Sequence, residues 1–421
     1  MKRRVLFLTT ELPWPVDGGG KLRTFETLAC LSRFAEVEVL SVVEEGPIEA
    51  QRSALAAALP GITVLPPVRH PVRIRRKPLA LARTALAQLL HAEPYLVAKF
   101  RNRSYLAAAE ERARLYAPDV IWCDHLNVFP AAARASAASR GARVILDEHN
   151  VESDLFARAA GASSLLARAA RLEGRRAAGY EARALRAATR TIAISPEDAV
   201  RLSALGGGDR VITCLPSVGD LGQQPPTPPA AGERVVFLGT LSWPPNAEAA
   251  RFLGVEILPR LRHLVPGAVV VIGGRGLAPA LERELRGAGV ELAGYVADPT
   301  HFLRSGAVAA VPLRSGSGIA MKLLDSLRAG VPTVSTTSGA RGLAVADGKE
   351  LLLADDADGF AAAIARLLRD EALRARLVAG AHDYLLRHHS RQALAASYAE
   401  VIEGALDWPA AKGSARSAVG P

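Results

Sequence analysis

The stretch Gln223-Gln-Pro-Pro-Thr-Pro-Pro-Ala-Ala-Gly-Glu-Arg-Val-Val-Phe-Leu238 decides how the chain is divided. Its first half is rich in proline and can continue neither a helix nor a central strand. Its last four residues form an apolar run, in part β-branched, that is typical of a buried strand. We therefore predict a linker over residues 217–232, an amino-terminal domain over 1–216 and a carboxy-terminal domain over 233–390.

Short apolar runs alternate with helical patterns rich in Ala, Leu and Arg on both sides of this linker. This alternation is typical of parallel sheets with crossover helices, and a chain of 421 residues is long enough for two such domains. The sequence thus predicts an α/β protein with two Rossmann-like, doubly wound domains. The predicted strands are 5–9, 37–42, 62–65, 120–123, 144–147 and 191–194 in the first half, and 234–238, 269–272, 290–292, 308–311 and 333–335 in the second.

Three further segments give local predictions. Residues 153–188 carry charges around much of the helical circumference, which favours a solvent-facing helix or helical pair. The final helical pattern over 391–408 is expected to return to the amino-terminal domain, and the polar tail over 409–421 is expected to be disordered. Asn246 is predicted to cap a helix that begins at the next residue.

The composition places the protein among globular chains, with 49% hydrophobic and 22% charged residues. Its net charge of +10 favours anionic partners such as nucleotides, phosphorylated sugars or acidic lipid, although arginine also serves simply as a solvated surface cation. Three widely spaced cysteines indicate neither a disulfide framework nor a zinc site. Because the apolar run near the amino terminus is too short for a secretion signal, we expect a cytoplasmic protein.

A basic segment surrounds one apolar helical pattern in the first half. The apolar pattern covers residues 78–90, and the neighbouring cations are Arg69, Arg73, Arg75, Arg76, Lys77, Lys99, Arg101 and Arg103. Such a segment could rest on anionic lipid at the inner face of the plasma membrane. The alternative is a solvated helix edge beside an acceptor site, and the sequence does not choose between them.

Several motifs converge on one family. The longest is Gly318-Ile-Ala-Met-Lys322-Leu-Leu-Asp325-Ser-Leu-Arg-Ala-Gly330-Val-Pro332-Thr-Val-Ser335, and the others lie at 339–343, 13–20, 147–152 and 237–246. Together they resemble the family-4 retaining glycosyltransferases of the GT-B fold, in the branch that works on exopolysaccharides and cell-surface glycans. The resemblance implies two Rossmann-like domains facing across a cleft. It also implies sugar transfer from a nucleotide-diphosphate sugar to a glycan or lipid-linked acceptor, without a metal ion or a further cofactor.

The donor diphosphate needs positive charge, for which Arg314 and Lys322 are the candidates. Ser317 and Gly318 precede a helix expected from about residue 319, and its first N–H groups would face an anion. Alternatively, Ser317 only caps this helix and Lys322 only pairs with Asp325. The resemblance implies that Asp325 accepts hydrogen bonds from the nucleotide ribose, whereas Ser317 stands where the family has a glutamate that holds the donor sugar.

Glycines and one histidine complete the candidate site. Gly18, Gly19 and Gly20 follow the first predicted strand, so their backbone could approach a diphosphate or an acceptor, or simply form a tight turn. Gly239 follows the first strand of the second domain and permits a similar approach. The resemblance implies that His149 reaches the donor sugar or phosphate, although it could equally belong to a charged surface loop.

Two other functions stay open at this level. Ser317 favours a non-catalytic protein that binds a nucleotide sugar or a partner transferase. A GT-B-fold sugar-nucleotide epimerase would need its own pair of acid and base carboxylates, and no clear pair stands out. The Asp356-Ala-Asp358 sequence is better explained by helix capping than by metal binding, and no nucleic-acid recognition motif is present.

Overall fold

The computed structural model describes residues 2–16, 19–44, 46–71, 78–91, 93–139, 141–154, 165–230, 232–316 and 318–409. The chain forms two compact units. The first comprises Met1–Ser217 together with Leu394–Pro421, and the second comprises Val218–Ala393. The first unit is therefore built from both ends of the chain.

The first unit contains a parallel sheet in the strand order β3-β2-β1-β5-β6-β7-β8, with β4 paired to β2. The order reverses between β1 and β5, which is the switch point where doubly wound sheets place their ligands. The strands are β1 (Arg3–Thr9), β2 (Ala35–Val43), β3 (Ile62–Val64), β4 (Val68–Arg69), β5 (Val120–Asp124), β6 (Arg143–Glu148), β7 (Arg190–Ala193) and β8 (Val211–Thr213).

The second unit contains a parallel sheet in the order β11-β10-β9-β12-β13-β14, so it repeats the same winding. Its switch point lies between β9 and β12. The strands are β9 (Arg234–Leu238), β10 (Val269–Gly273), β11 (Glu291–Gly294), β12 (Val308–Val311), β13 (Thr333–Ser335) and β14 (Leu352–Leu353). The predicted two-domain α/β architecture is confirmed.

Crossover helices connect these strands. Those before the second unit are α1 (Gly19–Leu31), α2 (Ile48–Ala58), α3 (Pro78–His91), α4 (Tyr95–Ala98), α5 (Arg103–Tyr116), α6 (Phe129–Ala138), α7 (Leu165–Ala187) and α8 (Pro196–Leu202). The later ones are α9 (Pro244–Arg251), α10 (Leu258–Leu264), α11 (Pro279–Gly287), α12 (Pro299–Arg304), α13 (Met321–Arg328), α14 (Ala357–Arg369), α15 (Glu371–His388) and α16 (Arg391–Leu406).

The first sheet has a core on each face because successive side chains of a strand point to opposite sides. Leu6 and Leu8 of β1 pack in one core together with residues of α5 and α6. Phe7 packs in the other core, where its ring stacks on Trp122 at a centroid distance of 6.3 Å. Trp122 in turn meets the edge of Tyr398 of α16 at 4.9 Å. The carboxy-terminal helix thus completes the second of these cores.

Each strand predicted from the sequence is present, and the differences concern short edges. The sequence did not indicate β4, β8 or β14, which have only two or three residues each. Strands this short carry too few alternating positions to form a recognisable pattern. The three cysteines, all within the described residues, form no disulfide.

The helix predicted over 153–188 is present in its described part, where one side is exposed to solvent and the other packs on the first unit. Residues 155–164 lie outside the described residues, and the remainder forms α7. Ala177, Tyr180, Glu181 and Leu185 of α7 are buried, so one face of this helix packs on the core. The pattern of charges was misleading because Glu181 is buried and accepts hydrogen bonds from the backbone N–H groups of residues 152 and 153.

The carboxy-terminal helix α16 is held in the first unit by polar contacts near its end. Arg3 forms a bidentate pair with Glu403, with the shorter contact at 2.7 Å. The guanidinium of Arg190 donates to the carbonyl of Gly404 and lies 3.9 Å from the centroid of the Trp408 ring. Of the predicted tail over 409–421, only Pro409 belongs to the described residues.

The predicted linker runs along the second unit. Arg391 pairs with Asp220 of the linker, and Arg304 of α12 donates to the carbonyl of Thr227 at 3.2 Å.

Among the described helices, none is long and apolar enough to cross a membrane.

Candidate functional site

A row of polar side chains crosses the carboxyl ends of three central strands in the first unit. Thr9, Asp124 and Asp147 are aligned in the registers of β1, β5 and β6. All three are fully buried, and they face the side of the sheet that α1 covers. Buried polar groups need partners, so this row organises the side chains around it.

Asp124 is the centre of this arrangement. Its carboxylate accepts hydrogen bonds from the hydroxyls of Thr9 at 2.7 Å and Thr24 at 2.9 Å. His149 Nε2 lies 2.9 Å from the other carboxylate oxygen. Burial alone would raise the pKa of Asp124, but the neighbouring His125 and His149 hold that pKa well below its usual range. Asp124 is therefore an ionised, fully hydrogen-bonded carboxylate.

His125 and His149 share this carboxylate and lie against each other. Their ring centroids are 3.7 Å apart, and His125 Nδ1 lies 2.5 Å from the carbonyl oxygen of Asp124. Burial favours the neutral forms, yet Asp124 raises the pKa of His125 to about 9. Burial and the charge on His125 lower the pKa of His149 to about 4. At neutral pH the histidine pair thus carries a single positive charge, because His125 is protonated and His149 is neutral.

His125 holds a backbone conformation that is rare for a residue with a side chain, with φ of 92°. Such conformations cost of order 1–3 kcal/mol and persist only where the surrounding structure enforces them. The hydrogen bonds of the histidine pair and Asp124 are the enforcing contacts at this turn. This strained position at the end of β5 is therefore a candidate functional position.

Asp124, His125 and His149 also have the ligand types of a metal site, and their ligand atoms lie within 4.8 Å of one another. In the structure, however, each of these atoms is used in a hydrogen bond. A metal ion would have to replace those bonds and remove the proton from His125.

A buried ion pair lies beside the cluster. Arg23 of α1 contacts Asp147 at 2.5 Å, with side-chain exposures of 11% and 0%. Although burial works against it, the Asp147 carboxylate raises the pKa of Arg23. Nε and one terminal nitrogen of Arg23, and one oxygen of Asp147, have no hydrogen-bond partner among the described residues. These groups are available to a polar ligand or a water molecule.

Glu148 ends β6 on the opposite face of the sheet. It is buried, and neither carboxylate oxygen has a hydrogen-bond partner in the described part of the chain. Burial raises the pKa of Glu148 well above its usual range, and the nearby Glu181 and Glu152 raise it further. Burial likewise raises the pKa of Glu152 to about 7. Burial and the neighbouring carboxylates therefore favour the neutral form of Glu148.

The glycines and the histidine predicted for the site of the first unit have different positions in the structure. Gly18 lies outside the described residues, while Gly19 and Gly20 form the first turn of α1. The nearest atom to a Cβ placed on Gly20 is 4.0 Å away, and Gly19 has open space, so a ligand could approach their backbone. His149 lies in the buried cluster, which rules out the alternative of a solvated surface loop.

The hydrogen-bond network around His149, which runs through Asp124 to Thr9, could not be predicted from the sequence. Asp124 is more than a hundred positions from Thr9, and only the parallel pairing of β1 and β5 brings them together. The available signal was positional, because each of these residues ends or follows a predicted strand. Arg23 gave no such signal, since it lies within a helix.

The second unit has its own switch point at the carboxyl ends of β9 and β12. Gly239 follows β9, and its N–H donates to the carbonyl of Gly273 at 3.1 Å. Gly274 approaches this backbone so closely that a Cβ on Gly274 would lie 1.8 Å from the Gly239 oxygen. The two glycines are therefore needed for close packing of adjacent loops at this edge.

The expected helix after residue 317 begins slightly later than predicted. Ser317 lies outside the described residues, and Gly318 adopts the left-handed conformation with φ of 67°. The helix α13 begins at Met321 after an N-cap at Ala320, without a side-chain cap. Lys322 is thus the second residue of the helix, beside its uncapped N–H groups, where an anion is favoured.

Lys322 and Asp325 are both partly buried but do not pair with each other. No ion pair within 4.0 Å joins them in the described part of the chain. Burial lowers the pKa of Lys322 despite the nearby Asp325. Burial also raises the pKa of Asp325 to about 6, against the effects of Arg328 and Lys322. Lys322 and Asp325 therefore interact electrostatically without a close ion pair, and both ligand binding and pairing stay open as the role of Lys322.

Further charged and aromatic side chains surround the carboxyl edge of this sheet. Arg314, three residues after the end of β12, is exposed and lies 5.0 Å from the centroid of the Phe252 ring. Trp243 and Tyr295 are exposed by 51% and 62%, which is unusual for such large rings. Arg275 stacks on Tyr295 at 4.0 Å. Sequence reasoning missed Trp243, Arg275 and Tyr295 because their exposure is visible only in the fold.

The two capping predictions in the second unit had different outcomes. Asp356 is the N-cap of α14 and accepts from the N–H of Gly359 at 2.8 Å, which confirms the capping interpretation. Asn246 is not an N-cap, because α9 already begins at Pro244. Its side chain instead donates to the carbonyl of Thr240 at 2.9 Å. Proline at the first helical position had set the start earlier.

Comparison of the sequence with protein families gives one match in the second unit. Residues 232–370 match the family described as glycosyl transferases group 1. The chain is also 33% identical over 170 residues to a phosphatidyl-myo-inositol mannosyltransferase of Mycolicibacterium smegmatis, and 34% identical over 115 residues to the lipopolysaccharide core biosynthesis glycosyltransferase LpsE of Rhizobium meliloti. These alignments cover 38% and 27% of this chain, and 42% and 34% of the relatives.

Solved structures match the chain over nearly its whole length. Anabaena HepE in complex with UDP and glucose has a TM-score of 0.62 and 15% identity, with 96% of this chain and 100% of that chain covered. A variant of S. aureus TarM, in complex with UDP and other ligands, has a TM-score of 0.65 and 10% identity, with coverage of 96% and 100%. Two parallel doubly wound sheets with these neighbours define a GT-B fold. Within that class, residues 232–370 resemble the group 1 glycosyltransferases.

Proposed function

We propose that this protein is a retaining glycosyltransferase. It would move a sugar from a nucleotide-diphosphate sugar to a glycan or lipid-linked acceptor in the synthesis of cell-surface polysaccharide. The observation that carries this proposal is the edge of the second unit, where the charged side chains of Lys322 and Asp325 lie partly buried at the start of α13. This edge lies inside the segment that matches the group 1 glycosyltransferases.

The donor is proposed to bind along this edge. The first N–H groups of α13 and the ammonium of Lys322 would hold the diphosphate, and Arg314 would add a second cation. Asp325 would accept hydrogen bonds from the ribose hydroxyls. The exposed rings of Trp243 and Tyr295 offer flat apolar faces on which a nucleobase could stack.

Transfer is proposed to depend on stabilisation of the departing nucleoside diphosphate. As the glycosidic bond breaks, negative charge grows on the phosphate oxygens, and preorganised cations lower the energy of that state. Lys322 and Arg314 are the proposed source of this charge without a metal ion. The leaving phosphate itself would take the proton of the acceptor hydroxyl on the same face of the sugar, so that no protein nucleophile is needed.

The first unit is proposed to supply the acceptor side of the reaction. Its Gly19 and Gly20 offer an accessible backbone, and His149 would contact the reacting groups as a neutral imidazole because its pKa is lowered to about 4. Asp124 holds this ring in place. In this role His149 is a hydrogen-bonding group at neutral pH, and His125 carries the positive charge.

A second candidate function is a non-catalytic protein that binds a nucleotide sugar. It is favoured by Ser317, which cannot provide the carboxylate that related transferases use to hold the donor sugar. The same donor edge would then bind the nucleotide without transfer. Binding and turnover must therefore be measured separately.

The proposed function is tested by a screen of the purified protein with UDP-, GDP-, ADP- and TDP-sugars. We expect one donor to raise the melting temperature and to be hydrolysed slowly, which mass spectrometry detects as release of its nucleoside diphosphate. Stabilisation without release, even with extracts that contain candidate acceptors, would support the non-catalytic function. No stabilisation by any donor would contradict both.

The affinity for the donor is expected to depend on pH through Asp325. Since burial raises its pKa to about 6, the carboxyl is largely protonated below that pH and cannot accept two hydrogen bonds from ribose. Affinity should therefore rise as the pH is raised through 6, by up to about tenfold per pH unit below the pKa. Calorimetric titration between about pH 5 and about pH 7.5 measures this.

The Asp325→Asn variant is the control for this pH dependence. It should bind the donor weakly at every pH, because the amide does not titrate. A wild-type affinity that is flat across the range, or a variant that keeps the slope, would show that another group is responsible.

A further inference from the structure

Two loops leave neighbouring strands side by side at the carboxyl edge of the second sheet. Strands β12 and β13 pair in parallel, and they are followed by a first loop over residues 312–320 and a second loop over residues 336–346. The hydroxyl of Thr336 in the second loop donates to the carbonyl of Leu313 in the first loop. The same hydroxyl accepts from the N–H of Gly339 at 2.9 Å. These hydrogen bonds hold the second loop beside the first.

Both loops carry a cation and neither carries an acidic residue. Arg314 belongs to the first loop and Arg341 to the second, and the sequence of the two loops contains neither aspartate nor glutamate. Both arginines are exposed. Nη1 of Arg341 donates to the carbonyl of Gly316 in the first loop at 3.4 Å. The guanidinium of Arg341 therefore lies against the loop that leads into α13.

The carboxylates that contact these loops are bound by other groups. Glu248 of α9 accepts from the hydroxyl of Ser315 at 2.6 Å. Asp355 accepts from the N–H and the hydroxyl of Thr337 at 2.8 Å and 2.7 Å. In the described part of the chain, no carboxylate lies within 4.0 Å of the guanidinium of Arg341. Arg341 is thus a cation without an ion-pair partner among the described residues.

The donor edge offers more positive charge than a diphosphate requires. A diphosphate that links a nucleoside to a sugar carries one negative charge on each phosphate, and Lys322, Arg314 and the positive end of α13 balance that charge. Arg341 adds a further cation at the same edge. A guanidinium group only donates hydrogen bonds, whereas a carboxylate only accepts them. The additional cation therefore fits a ligand that carries a second anionic group beside its diphosphate.

We propose that the donor sugar is a uronic acid whose carboxylate pairs with Arg341. This inference rests on the proposed function, in which the diphosphate lies at the start of α13. Asp325, assigned there to the ribose, is in the second turn of the helix, so the nucleoside lies towards the helix and the sugar towards the loop that Arg341 contacts. A guanidinium binds a carboxylate through two parallel hydrogen bonds, which a hydroxymethyl group at the same sugar carbon cannot form.

The test compares donors that differ only in this group. The pairs are UDP-glucuronic acid with UDP-glucose, UDP-galacturonic acid with UDP-galactose, and GDP-mannuronic acid with GDP-mannose. Calorimetric titration of the full-length protein measures the affinity for each of them. We expect the acid of one pair to bind at least about tenfold more tightly than its neutral partner, because only the acid forms the charge-assisted hydrogen bonds with Arg341.

Three variants show whether Arg341 is the source of this preference. Arg341→Gln should bind the acid only as tightly as the neutral donor, with little change in the affinity for the neutral donor. Arg341→Lys keeps the charge without the planar fork and should retain part of the preference. Arg376→Gln is the matched control, because it removes an exposed arginine of α15 in the same unit and should leave the preference unchanged. Melting temperatures without donor show whether each variant is folded, and we expect little change because both arginines are exposed.

Three outcomes would overturn the proposal. The first is that no acid binds more tightly than its neutral partner, which includes the case that none of the six donors binds. The second is a preference for the acid that persists in Arg341→Gln. The third is an equal loss of affinity for both donors of a pair in Arg341→Gln, which would assign Arg341 to the diphosphate. A neutral donor that is bound and hydrolysed would overturn only this inference and would leave the proposed sugar transfer intact.

Discussion

Replacement of Asp147 with asparagine is expected to lower the free energy of unfolding by about 3–5 kcal/mol. Asp147 is fully buried, and its carboxylate is the ion-pair partner of Arg23, whose side chain is only 11% exposed. The variant would leave the guanidinium charge inside the protein without compensation, which is far more costly than loss of a surface ion pair. Denaturant unfolding of the wild type and the variant at neutral pH measures the difference.

A surface ion pair of the same unit provides the control. Glu403→Gln breaks the pair with Arg3, where both side chains are about half exposed, and should cost no more than about 1 kcal/mol. The Arg23→Met/Asp147→Leu double variant removes both buried charges and should recover much of the loss. If Asp147→Asn were as mild as Glu403→Gln, the buried pair would not be a major contributor to stability.

Replacement of Lys322 with alanine is expected to lower the turnover of the proposed transfer by about 10²–10³-fold, the range seen when a single charge-stabilising donor is removed from a catalytic site. Lys322 is partly buried at the start of α13, where water screens its charge poorly. The loss should appear mainly in kcat, because negative charge on the diphosphate increases as the donor bond breaks. Steady-state kinetics of the wild type and the variant, with the donor identified by the screen, measures this loss in kcat.

Lys349→Ala is the control for this experiment. Lys349 lies in the same unit, with 67% of its side chain exposed, and it is 3.4 Å from Glu350. This variant should leave both kcat and KM unchanged. An unchanged kcat in Lys322→Ala would place the diphosphate elsewhere on the second unit, whereas a loss confined to KM would indicate a role in binding alone.

The sequence predicted the framework of the fold because apolar periodicity is a local property. Buried parallel strands such as β5 and β9 appear as short β-branched runs, and their carboxyl ends mark the edges where ligands bind in doubly wound sheets. Gly239, Lys322 and Asp325 could be assigned to such an edge in advance. The exact start of α13 could not, because its N-cap is Ala320, whose side chain accepts no hydrogen bond and so gives no capping signal in the sequence.

The polar network of the first unit could not be predicted in this way. Asp124 meets His149 and Thr24 only after three strands and a helix have assembled, and their separations in the sequence carry no signal. The charge of Glu181 was similarly misread, because burial of a glutamate depends on the donors that surround it. Local patterns therefore located the carboxyl ends of the strands, and tertiary structure determined which polar side chains meet there.

The packing of Tyr398 against Trp122 has a consequence for the order in which the protein is synthesised. The ribosome completes the whole of Val218–Ala393 before it adds the helix that carries Tyr398. During that interval the sheet that contains Trp122 has one apolar face incompletely covered. Emergence of this helix from the ribosome, with or without a chaperone that protects the face until then, is thus a requirement for the first unit to reach its native state, while the second unit can fold as soon as it emerges.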